Sequence, residues 1–225
     1  MNNLYLGGGG GAEDSRTLDA AFVASLPPDP KLLYIPIAMD EKDHSYPSCL
    51  EWLRLAVGPL GVLNIEMWTD LRGKTAESLA AFDAVYVGGG NTFKLLKEMS
   101  DSGFGSMLAQ YAERGGAVYG GSAGAIVLGT DIGTCAHMDE NAVGLKRTTA
   151  LGLLGKHSVW CHYVPSNDPL IREYVTRTGF PVVALTERGG LCVKGGQIEV
   201  IGDSAMLFAE GNQNVVPIGG TIKIQ

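Results

Sequence analysis

Gly120-Gly121-Ser122-Ala123-Gly124-Ala125 is the stretch of this chain best suited to covalent chemistry. It follows the apolar run Ala117-Val118-Tyr119 and precedes Ile126-Val127-Leu128. That order predicts a short strand, a tight turn and a helix start, which is the setting of a G-x-S-x-G nucleophile elbow. In such a turn the serine hydroxyl stands above the sheet edge, beside the positive end of the following helix. The Ala123 amide then points to where an oxyanion forms. Ser122 is the predicted nucleophile, and serine hydrolysis is the chemistry it implies.

A serine nucleophile needs a base to take its proton and an acid to orient that base. The chain holds four histidines, His44, His137, His157 and His162. His162 follows the β-prone run Ser158-Val159-Trp160 and precedes Tyr163-Val164-Pro165. It is expected at a strand end, within reach of a nucleophile at the end of a neighbouring strand. His157 would lie at the opposite end of that strand. His137 is near the elbow in sequence and is the weaker candidate, while His44, in a polar loop, reads as a solvated surface residue. For the acid, Asp139 and Glu140 lie between Ser122 and His162, giving the chain order serine, acid, histidine. Only one of the two can orient the imidazole and stabilise the imidazolium. Cys161 adjoins His162 but reads as a half-buried strand cysteine.

Gly88-Gly89-Gly90-Asn91-Thr92 follows the strand-like Ala84-Val85-Tyr86-Val87 and opens a helix. One reading is a phosphate cradle. The other is a second oxyanion donor, a glycine amide facing the Ala123 amide across the substrate carbonyl. The block lacks both the G-x-G-x-x-G spacing and a Walker lysine, so a nucleotide is weakly supported. Gly7 to Gly11 contains G-x-G, but Pro36-Ile37-Ala38 stands where a ribose-binding acid would follow the second strand.

The elements that must position these residues read as an alternation of strands and helices. Leu4-Tyr5-Leu6, Leu32 to Ile35, Val62 to Trp68 and Ala84 to Val87 are predicted strands. Helices are expected around Leu18 to Leu26, Ser48 to Val57, Thr92 to Met99 and Met107 to Arg114. Such alternation implies right-handed crossovers and a mostly parallel sheet covered on both faces. From Gly179 onward, Leu191-Cys192-Val193 and Ile198-Glu199-Val200 flank Gly195-Gly196, which predicts a hairpin added as an antiparallel edge. With no linker or internal repeat, residues 1–225 are expected to form a single domain.

Composition narrows the partners. The 225 residues are 45% hydrophobic, with a formal net charge of −7 and an isoelectric point near 5.1. Neither nucleic acid nor an anionic membrane is expected as a partner. No apolar run has the length of a membrane span, and the N-terminus lacks the basic region of a secretory leader. The four cysteines form no C-x-x-C pair, which predicts a reduced, cytoplasmic chain without a zinc site.

Val87-Gly88-Gly89-Gly90-Asn91-Thr92-Phe93-Lys94-Leu95-Leu96-Lys97, Gly121-Ser122-Ala123-Gly124-Ala125 and Cys161-His162-Tyr163 together resemble the peptidase E (aspartyl dipeptidase) and cyanophycinase family of serine peptidases. The resemblance runs from Leu4 to the region of Gly211. It implies a three-layer α/β fold akin to class I glutamine amidotransferases, and serine catalysis with no metal or cofactor. It assigns Ser122 as nucleophile, His162 as base, and the amides of Ala123 and Gly90 to the oxyanion. It places the acid in the loop of Asp139 and Glu140, with Glu140 preferred on spacing. It also implies a short peptide substrate, touched by Asn91, and an arginine for a substrate aspartate. Arg172 and Arg177 are the candidates for that arginine, with Arg172 preferred as the nearer to His162. Three functions compete on this footing. They are a short-peptide serine peptidase of Asp-Xaa type, a related hydrolase of ester, amide or β-aspartyl bonds, and a non-catalytic amidotransferase-like binding protein. A homo-oligomer is compatible with all three.

Overall fold

The computed structural model of the chain describes residues 3–224. Its first part alternates strands and helices: β1 (Asn3–Gly7), α1 (Arg16–Val23), β2 (Lys31–Ile35), α2 (Tyr46–Val57), β3 (Asn64–Met67), α3 (Ala76–Leu79), β4 (Ala84–Val87), α4 (Thr92–Asp101), α5 (Phe104–Glu113), β5 (Ala117–Gly121) and α6 (Ala123–Leu128). After a largely irregular stretch come β6 (Ser158–Trp160), α7 (Asp168–Thr178), β7 (Val182–Ala184), β8 (Gly190–Lys194), β9 (Gln197–Ile201), β10 (Ala205–Ala209), β11 (Asn212–Val216) and β12 (Thr221–Lys223).

The main sheet has eight strands in the order β12-β9-β8-β1-β5-β4-β2-β3. The five strands from β1 to β3 in that order run parallel, as the strand–helix alternation requires. β8 joins β1 antiparallel, and β9 and β12 extend that edge. The expected hairpin turn is present, with Gly195 and Gly196 both at positive φ. Successive side chains on a strand point to opposite faces, and this divides the core in two. Leu4, Leu6, Leu33, Ile35, Val85, Val87 and Val118 pack beneath α4, α5 and α6. Tyr5, Leu32, Tyr34, Ala84, Tyr86 and Tyr119 pack beneath α1 and α2. One face is aliphatic and the other is rich in tyrosine.

A second sheet, ordered β11-β10-β7-β6, departs from expectation. Ser158–Trp160 is a strand, but it pairs with β7 rather than with the main sheet. Trp160, Ile171, Tyr174, Val182 and Phe208 form a separate cluster under α7. That cluster gives the small sheet its own apolar support. No helix among the described residues is long and apolar enough to cross a membrane.

Candidate active site

Ser122 is the hinge between β5 and α6. Its backbone sits at φ 50°, ψ −113°, a region costly for a residue with a Cβ, by about 1–3 kcal/mol. The strain is held by the surroundings. The Ser122 amide donates to the Gly7 carbonyl at 3.1 Å, and the Ser122 carbonyl accepts from Ile126 at 3.0 Å. This leaves the side chain projecting from the strand end, with Oγ 3.0 Å from Nε2 of His162. Ala123 is the first residue of α6, where an amide has no acceptor within its own helix.

His162 comes from the other sheet, two residues beyond β6. Its own φ is 52°, and its amide donates to the Gly8 carbonyl at 2.9 Å. The ring lies against Gly9, which has φ 108°; a methyl group there would stand 2.3 Å from Nε2. No other residue type leaves the imidazole that space. The Gly7–Gly11 run is thus a wall of this site, and Gly9 is the glycine that makes room for the histidine.

On its far side His162 Nδ1 lies 3.1 Å from Oε1 of Glu187. Glu187 follows β7, and its carbonyl accepts from the Gly10 amide at 3.2 Å. The side chains of His162 and Glu187 are 28% and 61% exposed. This corrects the expected acid. Asp139 Oδ2 accepts from the Thr92 amide at 2.8 Å, at the first turn of α4. The carbonyl of Glu140 accepts from Nδ2 of Asn91 at 2.8 Å. The loop is pinned to α4, and neither carboxylate is bonded to His162. The spatial order is serine, histidine, glutamate, with the acid 25 residues after the base. The available signal was the one used for His162: a polar residue just after a buried strand, here Val182-Val183-Ala184-Leu185.

His137 and His157 stand apart from the serine. His137 Nδ1 lies 3.0 Å from the Thr134 carbonyl, and its ring stacks on Trp160. His157 is buried, 3.1 Å from the Leu154 carbonyl. Burial lowers the pKa of both. Cys161 is fully buried rather than half-buried, with its thiol pKa pushed well up by desolvation. His44 is exposed, as expected of a surface residue, and it also lines the cavity that holds Ser122.

That cavity has a volume of about 470 Å³. It opens at the carboxyl ends of the parallel strands, where ligands of open α/β sheets bind. Ser122, His162 and Glu187 share it with Gly89 and Gly90. Gly90 has φ 131°, and a methyl there would come within 2.4 Å of the Ala38 carbonyl. The neighbouring amides are occupied: Asn91 donates to Ala38, Thr92 to Asp139, and Lys94 to Oδ1 of Asn91. Asn91 therefore uses its side chain to cap α4 and hold the Glu140 loop, and it is not among the cavity's lining residues. Arg172 is also elsewhere. It donates to Oε1 of Gln213 and lies 3.7 Å from Asp168, on the α7 side of the small sheet. Arg177 stands over the Tyr174 ring.

Residues 4–201 match the sequence profile of peptidase family S51. An uncharacterized peptidase of Pasteurella multocida is 32% identical over 109 residues, 48% of this chain and 51% of the relative. The chain thus spans about half the length of that relative. Peptidase E of Streptomyces coelicolor is 29% identical over 204 residues, covering 83% of this chain and 77% of the relative. A solved structure from Listeria monocytogenes EGD-e, provisionally described as peptidase E, superposes with a TM-score of 0.71 at 25% identity. It covers 94% of this chain and 100% of its own.

Proposed function

Because the chain belongs to peptidase family S51, we propose that it is a serine peptidase of short peptides, using Ser122, His162 and Glu187. The observation that carries this reading is the unbroken line Ser122 Oγ, His162 Nε2, His162 Nδ1, Glu187 Oε1, at 3.0 and 3.1 Å. His162 takes the Ser122 proton as Oγ attacks the scissile carbonyl, then delivers it to the leaving amine. Glu187 accepts the Nδ1 proton's hydrogen bond, which leaves Nε2 free to act as base, and it stabilises the imidazolium. The Ala123 and Gly90 amides are the proposed donors to the tetrahedral oxyanion. Water, activated by His162 in the same manner, releases the acyl group from Ser122.

A cavity of about 470 Å³ is of the size that encloses a small ligand, which supports short peptides over folded chains. An Asp-Xaa preference, by contrast, needs a cation for the aspartate, and among the described residues no lysine or arginine lines the cavity.

The test is labelling by a small fluorophosphonate together with hydrolysis of a dipeptide panel. Ser122→Ala should abolish labelling, and Ser122→Ala and His162→Ala should each lower turnover by about 10⁴-fold or more. Retained turnover in a folded Ser122→Ala protein would refute the assignment.

A further inference from the structure

Three of the parallel strands carry the same tripeptide, Tyr-x-Gly: Tyr5-Leu6-Gly7, Tyr86-Val87-Gly88 and Tyr119-Gly120-Gly121. A fourth, β2, supplies Tyr34. The register brings all four tyrosines into one row, with Tyr5 beside Tyr119, Tyr119 beside Tyr86, and Tyr86 beside Tyr34. Each hydroxyl of the last three leans toward the glycine of the next strand. A methyl built at Gly7 would lie 3.2 Å from the Tyr119 hydroxyl, at Gly121 3.3 Å from that of Tyr86, and at Gly88 3.1 Å from that of Tyr34. The glycines keep the strand ends low, so the phenols reach the cavity beside Ser122. Tyr34, Tyr86 and Tyr119 line it, with Leu18, Met39 and Trp52.

We propose that this end of the cavity receives an uncharged aromatic side chain of the substrate and excludes aspartate. The proposal deepens the peptidase reading above and rests on it. Three observations carry it. First, among the described residues no lysine or arginine lines the cavity; of its two histidines, His162 is engaged by Ser122 and Glu187 and His44 is exposed, and an unpaired buried carboxylate is strongly penalised. Second, the buried ionisable group behind the lining is itself a carboxyl, which offers an aspartate no counter-charge. Ser15, itself a lining residue, donates to Oδ2 of Asp19 at 2.8 Å, and Asp19 is 2% exposed. Third, the rings are turned for an aromatic guest rather than a cation. Tyr86 and Tyr119 stack face to face at 4.3 Å, and Tyr34 meets Tyr86 edge to face at 5.7 Å. Their faces are spent on one another, whereas a cation needs a free face. The ring edges left to the cavity favour the π-face of an aromatic ring. Trp52, 36% exposed and edge-on to Tyr86 at 6.4 Å, stands at the mouth.

The experiment has two arms, so that failure of the subsite and failure of the peptidase reading are told apart. Binding of Phe-Ala, Asp-Ala and Lys-Ala to the Ser122→Ala protein, by calorimetry, reads the subsite without turnover. Hydrolysis of the same dipeptides by the wild type reads the chemistry. Phe-Ala is expected to bind at least about tenfold more tightly than the other two, and its kcat/KM to exceed that of Asp-Ala by about 100-fold or more. Trp52→Ala should lower kcat/KM for Phe-Ala about tenfold. Met39→Arg should narrow the gap between Phe-Ala and Asp-Ala. Equal or tighter binding of Asp-Ala or Lys-Ala overturns the subsite whatever the turnover. Selective Phe-Ala binding with no hydrolysis upholds the subsite and overturns the peptidase reading.

Discussion

Glu187→Gln is the perturbation that most directly separates the proposed triad from the one expected from chain order. The substitution keeps shape and a hydrogen-bond acceptor but removes the charge facing the imidazolium formed during attack. In such a contact the two charge centres lie about 4 Å apart, giving roughly 1 kcal/mol at bulk dielectric and 4 kcal/mol at the effective value near a protein surface. Glu187 is 61% exposed and His162 28%, so a middle value of about 2 kcal/mol applies, or roughly 30-fold in rate. The expected loss in kcat is therefore about 10- to 100-fold, well short of the roughly 10⁴-fold cost of neutralising a buried triad acid. An exposed glutamine can also turn its carbonyl oxygen toward Nδ1, which limits the harm. The assay is steady-state hydrolysis of a dipeptide, with the rate of fluorophosphonate labelling as a second measure of Ser122 activation. Melting should stay within about 0.5 kcal/mol of wild type, as for a surface substitution. Asp139→Asn should behave oppositely, weakening the first turn of α4 by about 1 kcal/mol while kcat changes little. The reasoning is refuted if Glu187→Gln stays within twofold of wild type while Asp139→Asn or Glu140→Gln costs tenfold or more without unfolding.

Further outcomes follow from the same geometry. Ser122→Gly should inactivate the protein yet stabilise it by about 1 kcal/mol in denaturant melts, because glycine removes the cost of φ 50° and gives back part of it in chain entropy. Ser122→Ala should show no such gain, and equal stability of the two variants would deny the strain. Arg172→Ala should leave KM unchanged for every dipeptide and cost less than about 1 kcal/mol, as expected of an exposed pair; a KM rise confined to Asp-Xaa would return Arg172 to the site. Asp19 is raised above its ordinary pKa by burial, with the Ser15 and Tyr119 hydroxyls partly opposing the shift. Its protonated form is favoured by folding, so stability present below the unfolded pKa, about 3.9, is lost as pH rises through the higher folded value. Urea melts across this range should show Asp19→Asn gaining on wild type as pH rises and then levelling off, and a pH-independent difference would contradict this.

The sequence determined the position of the proposed nucleophile and most of the frame around it. A G-x-S-x-G turn between two apolar runs can form only where strand meets helix, so Ser122 was legible from local chemistry. So were the parallel order implied by strand–helix alternation and the hairpin at Gly195-Gly196. These are short-range properties, fixed by backbone sterics and side-chain periodicity. His162 was legible as a strand-end histidine, although its strand belongs to the small sheet, and nothing local says which sheet a three-residue run will join. The contact of Glu187 with His162 was not legible, because the partner of Nδ1 is chosen by which loop meets it once two sheets have packed, and that depends on contacts across 25 residues and a helix. The same limit hid the cavity wall. Tyr5, Tyr34, Tyr86 and Tyr119 are scattered over more than a hundred positions, and only strand register sets them side by side. Arg172 lies ten residues after His162, but the cluster under α7 holds that helix against β10 and β11, so proximity in sequence did not become proximity in space.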